Sequence, residues 1–173
     1  MKRLHLLRHA KSSWKQNVED RERALNRRGR EAARRVGKHL AGAIGPLDLV
    51  LCSSACRTRE TLELVLANFA VTPRSAIEDE LYAASQEELM DRLRRLSENE
   101  VNVLLIGHNP GLQELAIALA DKSSPNFNLL VTGKFPTTAC ASFKVAPPWS
   151  VLAYSRNELI AYVTPGVLAA EKD

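Results

Sequence analysis

Apolar and polar positions fall into two kinds of run along the chain. Short apolar blocks stand at Leu4–Leu7, Leu47–Cys52 and Val101–Ile106, the last broken only by Asn102. Blocks of this length bounded by polar residues predict buried strands. Between them lie longer stretches with helical spacing. Over Asn26–Ala43, Leu25, Gly29, Ala32, Ala33, Val36 and Leu40 share one side, and Gly45-Pro46 ends the run. Over Ala55–Phe69 the stripe is Leu62, Val65, Leu66 and Phe69, with Ser54 placed as N-cap. Ser85-Gln86-Glu87-Glu88 reads as a capping box opening a helix through Leu89, Leu93 and Leu96. Asn109 caps a further helix with Pro110 in its first position, running to about Ala120. Arg74–Glu78 is a weaker strand. Ala139–Val145, Val151–Tyr154 and Glu158–Val163 are β-like runs among prolines, which places them as late strands toward a sheet edge.

Strand and helix alternating through the first two thirds predict an α/β fold: a three-layer α/β/α sandwich with a mostly parallel central sheet and an antiparallel edge strand. The chain of 173 residues reads as one domain, 1–173. A chain of this size buries roughly two thirds of its unfolded surface without disulfides or structural metal. Three cysteines, Cys52, Cys56 and Cys140, are too few and odd in number for a disulfide framework, and read as small buried residues. The opening Met1-Lys2-Arg3-Leu4 has the start of a secretory signal, but Arg8 and His9 interrupt the apolar stretch, and no run is long enough to cross a bilayer. The expected location is cytoplasmic, with no membrane partner. The balance of 24 Lys plus Arg against 20 Asp plus Glu, net +4, disfavours a strongly basic nucleic-acid protein.

In open α/β sheets, ligands bind beyond the carboxyl ends of the strands. The first strand ends in Arg8-His9-Ala10-Lys11-Ser12-Ser13-Trp14, the second in Ser53-Ser54-Ala55-Cys56-Arg57, and the Val101 strand in Gly107-His108-Asn109-Pro110-Gly111. If these strands are neighbours, two guanidiniums and two imidazoles converge on one point. Arginine offers paired donors matched to phosphate oxygens, and helix starts add backbone N–H groups. An imidazole in this setting can attack phosphorus.

These segments resemble the histidine phosphatase superfamily, whose signature is Arg-His-Gly after the first strand. Arg8-His9-Ala10 matches it, with Ala10 in the glycine position. Leu25, Gly29 and Ala32-Ala33 match the start of the family's first long helix. Ser53, Arg57 and Thr61 match its Ser-x-x-x-Arg-x-x-x-Thr segment, and Gly107-His108 its second histidine. The wording Arg8 to Trp14 and the segment Asp20 to Gly29 are similar to the short, phosphohistidine-phosphatase branch typified by SixA. The resemblance implies that His9 attacks phosphorus and becomes a transient phosphohistidine. Arg8, Arg57 and His108 would bind the phosphoryl oxygens, and no metal or organic cofactor would be needed. The other nitrogen of His9 is expected to donate to a backbone carbonyl. Lys11, Ser12 and Asn109 are candidate phosphate or substrate contacts. Asp79 and Glu80 are candidates for a general acid, with a solvated turn as the bland alternative. Asp20 is another, with a salt bridge to Arg21 or Arg23 as its alternative.

The expected partner is therefore phosphate, or a phosphorylated protein or small molecule, including an acidic phosphorylated signalling domain. The length also leaves little room for a substrate lid. A small-molecule phosphomonoesterase or a phosphoglycerate-mutase-like enzyme is the enzymatic alternative. A non-catalytic anion- or nucleic-acid-binding module is the alternative of another class. It would use a basic helix spanning Arg21 to Arg35, for which a solvated face is the plainer explanation. A cysteine-based phosphatase is excluded, because it needs arginine six positions after the cysteine and Thr58 stands there after Cys52.

Overall fold

The computed structural model describes residues 1–171. Six strands form one sheet: β1 (Lys2–Arg8), β2 (Leu49–Ser53), β3 (Arg74–Glu78), β4 (Asn102–Gly107), β5 (Cys140–Val145) and β6 (Glu158–Val163). Their order is β3-β2-β4-β1-β5-β6. The first four are parallel, β5 runs antiparallel to β1, and β6 runs antiparallel to β5. The antiparallel part is thus a two-strand margin, with β6 as the edge.

Helices α1 (Arg27–Ala43), α2 (Cys56–Leu66), α3 (Gln86–Arg94), α4 (Gly111–Leu119), α5 (Phe127–Thr132) and α6 (Pro165–Ala170) cover the two faces. Strand residues alternate between those faces, as the pleat requires. On one side Leu4, Leu6, Leu51 and Leu105 pack with Leu89, Leu93, Leu112 and Leu115 of α3 and α4. On the other, Leu7, Val50, Leu104 and Ile106 pack with Val36, Leu40, Leu62 and Val65 of α1 and α2, and with Leu168 of α6. Among the described residues, no helix is long and apolar enough to cross a membrane.

The capping box forms as expected, with Glu88 N–H donating to Ser85 Oγ (3.2 Å) and Ser85 N–H to Glu88 Oε2 (2.8 Å). Asn26 caps α1 through Gly29 N–H at 2.8 Å. Two other caps differ. Ala55, not Ser54, precedes α2, and the Ser54 hydroxyl is buried without a partner. Pro110, not Asn109, is the N-cap of α4, because the Asn109 side chain is turned toward the Lys134–Phe135 segment.

Val151–Tyr154 is not a strand. After Pro148 the chain makes a 3₁₀ turn, Trp149–Val151, that seats the buried indole of Trp149 with its Nε1–H on the Glu100 carbonyl (2.8 Å). The Arg21–Arg35 segment is not one helix either. Arg21 lies in a 3₁₀ turn, Asp20–Glu22, and Arg23 in the loop after it, so the basic face of α1 begins at Arg27.

Candidate active site

Parallel pairing in register brings three strand ends level. Arg8 lies opposite Gly107, and Cys52 opposite Ile106. The residues just beyond enter one open cleft of about 530 Å³ between the chain leaving β1 and the segment leading into β5. Arg8, His9, Arg57 and His108 line it together. Lys11, Ser12 and Asn109 line it as well, as do Trp14, Arg23, Lys134, Pro136 and Thr137, none of which sequence reasoning had placed there.

His9 is held by the backbone on both sides. Its N–H donates to the Gly107 carbonyl at 3.1 Å. Its ring Nδ1–H donates to the Ala10 carbonyl at 2.7 Å, which leaves Nε2 with a free lone pair. Ala10 in turn donates its N–H to Thr61 Oγ1 (3.0 Å) and is fully buried. Its φ lies outside the left-handed region that only glycine enters freely, so alanine fits where the family has glycine. The rings of His9 and His108 stand 5.2 Å apart.

Burial is the main cause that lowers the His9 pKa to about 3, and the charges of His108, Arg57 and Arg8 push the same way. Burial likewise takes His108 to about 4, aided by Arg57. Both rings are neutral at ordinary pH. His108 Nε2 lies 2.7 Å from Ser53 Oγ, and that oxygen already accepts the Ala55 N–H (3.4 Å). The Ser53 hydroxyl can donate to Nε2 or accept from it, so this contact is met by either neutral tautomer of His108. Nδ1 is buried and has no protein partner.

The two guanidiniums are gripped from behind. Arg8 Nη1 donates to the Phe135 carbonyl at 3.1 Å. Arg57 donates from Nη1 to the Asp20 carbonyl (2.7 Å) and from Nη2 to Asp20 Oδ2 (3.1 Å). In both residues Nε–H is buried and unpartnered. Buried donors without partners are rare and call for an explanation. Two of them, on Arg8 and Arg57, belong to residues that line one cleft with His9 and His108, a setting that suits a tetrahedral oxyanion.

The carboxylates fall differently. Asp79 is exposed and paired with Arg21 at 3.6 Å. Glu80 is paired with Arg95 (2.9 Å) and Arg92 (3.4 Å). Neither lines the cleft: the turn after β3 directs both toward arginines outside it. Asp20 does reach the site, through Arg57 and Arg23. The Tyr82 hydroxyl bonded to its Oδ2 is the main cause that holds its carboxyl at about 2, and the arginines add to it, so it has no proton to give.

Arg23 is the residue most clearly missed. It is buried, donates to Ser12 Oγ (2.8 Å) and Asp20 Oδ1 (3.1 Å), and lies against the Trp14 ring, 3.4 Å from its centroid. Ser12, expected as a substrate contact, lines the cleft and accepts from Arg23 through its hydroxyl oxygen. Asn109 Nδ2 is engaged by the Phe135 carbonyl at 3.1 Å. Lys11 is exposed at the rim.

The sequence profile of the histidine phosphatase superfamily (branch 1) matches residues 4–82, the stretch that supplies Arg8, His9 and Arg57. An uncharacterised protein of Mycobacterium tuberculosis is 30% identical over 161 residues, covering 92% of this chain and 99% of its own. A solved chain from Nakamurella multipartitia, assigned as the phosphohistidine phosphatase SixA, superposes with a TM-score of 0.83 at 27% identity, covering 95% of this chain and 96% of that one. The chain belongs to the histidine phosphatase superfamily. A second solved chain so assigned, from Agrobacterium tumefaciens, has a TM-score of 0.78 at 27% identity over 95% of this chain and 98% of that one. Within the histidine phosphatases the fold is of the SixA type, and membership assigns the chain a phosphatase function.

Proposed function

We propose that the protein is a phosphatase that works through a phosphohistidine on His9, and that its substrate is a protein phosphohistidine or another accessible phosphoryl group with a good leaving group. The observation that carries this is the free Nε2 of His9 in a cleft that Arg8, Arg57 and His108 line with it. Nε2 attacks phosphorus in line, the bond from phosphorus to the leaving atom breaks, and the leaving group departs with that electron pair. Water then attacks phosphorus, the phosphorus–nitrogen bond breaks, and phosphate and neutral His9 return. The donors act on the equatorial oxygens, where charge gathers in the transition state.

The substrate class follows from the carboxylates. Asp20 is ionised, and Asp79 and Glu80 are committed to arginines outside the cleft. Among the described residues, no carboxylic acid lines the cleft to protonate an alkoxide. A phosphohistidine ring protonated from solvent on its second nitrogen leaves as neutral imidazole, and a phenolate leaves as a stable anion, which supports phosphohistidine over alkyl monoesters and over a phosphoglycerate-mutase-like reaction. The solved relatives assigned as phosphohistidine phosphatases point the same way. The cleft is open to solvent, with Lys11, Trp14 and Lys134 exposed at its rim, which supports a protein-borne phosphate on an acidic surface. The basic-helix module has weaker support, since Arg27 and Arg30 are paired with Glu31 and Glu60.

The test is rapid acid- and base-quenching of the enzyme during turnover of a labelled phosphohistidine peptide. The expected adduct is base-stable and acid-labile, and is absent in His9→Ala. An acid-stable adduct, or full activity in that variant, refutes the assignment.

A further inference from the structure

Resting on the phosphatase reading, we propose that Asp20 is a positioning residue: it fixes the Arg57 guanidinium for the phosphoryl group and ties it to Arg23 across the mouth of the cleft. Its carboxylate receives groups from three separate segments. Arg57 comes from α2 and donates to both the carbonyl (2.7 Å) and Oδ2 (3.1 Å) of Asp20. Arg23 comes from the loop before α1 and donates to Oδ1 at 3.1 Å. Tyr82 comes from the turn after β3 and donates its hydroxyl to Oδ2.

An arginine side chain has several soft torsions, and an unanchored guanidinium must lose that freedom each time it meets phosphate. Asp20 occupies the Nη edge of Arg57 with a two-point contact, so the fork is fixed before substrate arrives. The Nε–H is left buried and unpartnered. Arg23 is set by the other carboxylate oxygen and by Ser12, so one carboxylate holds two cationic walls of the cleft in a single arrangement. The carboxyl is held at about 2, which agrees with a fixed anion and not with a proton donor.

The alternatives to positioning make different predictions. A general acid matters most for poor leaving groups. A bystander anion beside a phosphate site only repels substrate, so its removal raises kcat/KM. A positioning residue acts on the oxygens that do not leave, so its loss is indifferent to the leaving group.

The test compares the full chain with Asp20→Ala, Asp20→Asn and Tyr82→Phe on phenyl phosphate and 4-nitrophenyl phosphate. Asp20→Ala is expected to lower kcat/KM about ten- to hundredfold, by the same factor on both substrates. Asp20→Asn, which keeps one acceptor oxygen, should recover part of the loss. Tyr82→Phe leaves Asp20 in place but removes one of its bonds, and should cost a few-fold with the same indifference to the leaving group. That variant decides the matter if Asp20→Ala does not fold. A loss concentrated on phenyl phosphate overturns positioning in favour of acid catalysis. Unchanged or raised kcat/KM in both Asp20→Asn and Tyr82→Phe overturns it in favour of a bystander charge. A wild-type chain that hydrolyses no phosphate or phosphohistidine substrate refutes the phosphatase reading itself, and this proposal with it.

Discussion

The Nδ1–H of His9 donates to the carbonyl of its own neighbour, Ala10, at 2.7 Å. That bond selects the tautomer, and burial then keeps the ring neutral by lowering its pKa to about 3. The consequence is a pH profile unlike that of a solvated histidine. Protonation of His9 removes the nucleophile only near its own depressed pKa. The kcat/KM for 4-nitrophenyl phosphate, corrected for ionisation of the substrate, should therefore stay level from pH ~7 to ~5. An acid limb centred near the ordinary histidine value, unmoved when the substrate is changed, would contradict the neutral, buried nucleophile.

Two glycines of α1 should respond to alanine in opposite ways. A Cβ on Gly29 would lie 2.0 Å from the Lys11 carbonyl oxygen, the same atom that accepts the Asn26 N–H at 3.0 Å. The helix start is thus pressed directly on the segment that leads from His9 after β1. Gly29→Ala should cost about 3 kcal/mol in urea unfolding and lower activity by shifting the Lys11–Ser12 backbone. A Cβ on Gly42 meets nothing within 4 Å, so Gly42→Ala should gain about 0.5–1 kcal/mol.

The difference between what the sequence revealed and what it hid follows from local order. Arg8, His9 and His108 follow strands marked by apolar blocks, so the rule that ligands sit at strand ends finds them. Arg57 stands one residue into a helix that starts where the second strand ends. Asp20 and Arg23 lie in an irregular segment with no periodicity. It is folded back by contacts distant in sequence: the bridge of Ser12 with Leu25 and the grip of Asp20 on Arg57. Arg23 was further masked by its arginine-rich neighbours, which suggested one solvated helix face. Ser53 could be seen as the end of a strand, but only the position of His108 shows what its hydroxyl does.

Asn109 acts on the site through Phe135. The Phe135 backbone lies in the left-handed region at φ 44°, which is costly for a bulky residue, and its carbonyl receives both Arg8 Nη1 and Asn109 Nδ2 at 3.1 Å. Asn109→Ala removes one donor and should reduce kcat/KM on an aryl phosphate by about tenfold, with a stability loss of about 1 kcal/mol. Asn109→Asp also turns an anion toward that carbonyl and toward the phosphate. Inhibition by inorganic phosphate should therefore weaken in the order wild type, Asn109→Ala, Asn109→Asp. Equal inhibition of all three would show that Asn109 has no hold on the site.

Acid should weaken the fold through its buried histidines, and His5 isolates their part in it. It is buried away from the cleft, with Nε2–H donating to Asn102 Oδ1 (2.8 Å) and Nδ1 accepting from the Ser142 hydroxyl (2.7 Å). Burial lowers its pKa to about 4, the nearby Arg3 adds to this, and the Asn102 bond opposes it. In the unfolded chain the group takes a proton below its model value of 6.5, whereas the folded chain refuses it until about 4. The unfolded state binds more protons throughout that window, so stability falls as pH drops across it and this contribution is fully lost below it. The window is worth up to about 3 kcal/mol for this residue, and His9 and His108 act with the same sign. His5→Gln removes one of the three titrations. In urea unfolding it should be less stable than the wild type at neutral pH, through its poorer fit to Asn102 and Ser142. It should then lose less stability on acidification to pH ~4.5. Parallel losses in the two proteins would show that His5 is not titrating between them.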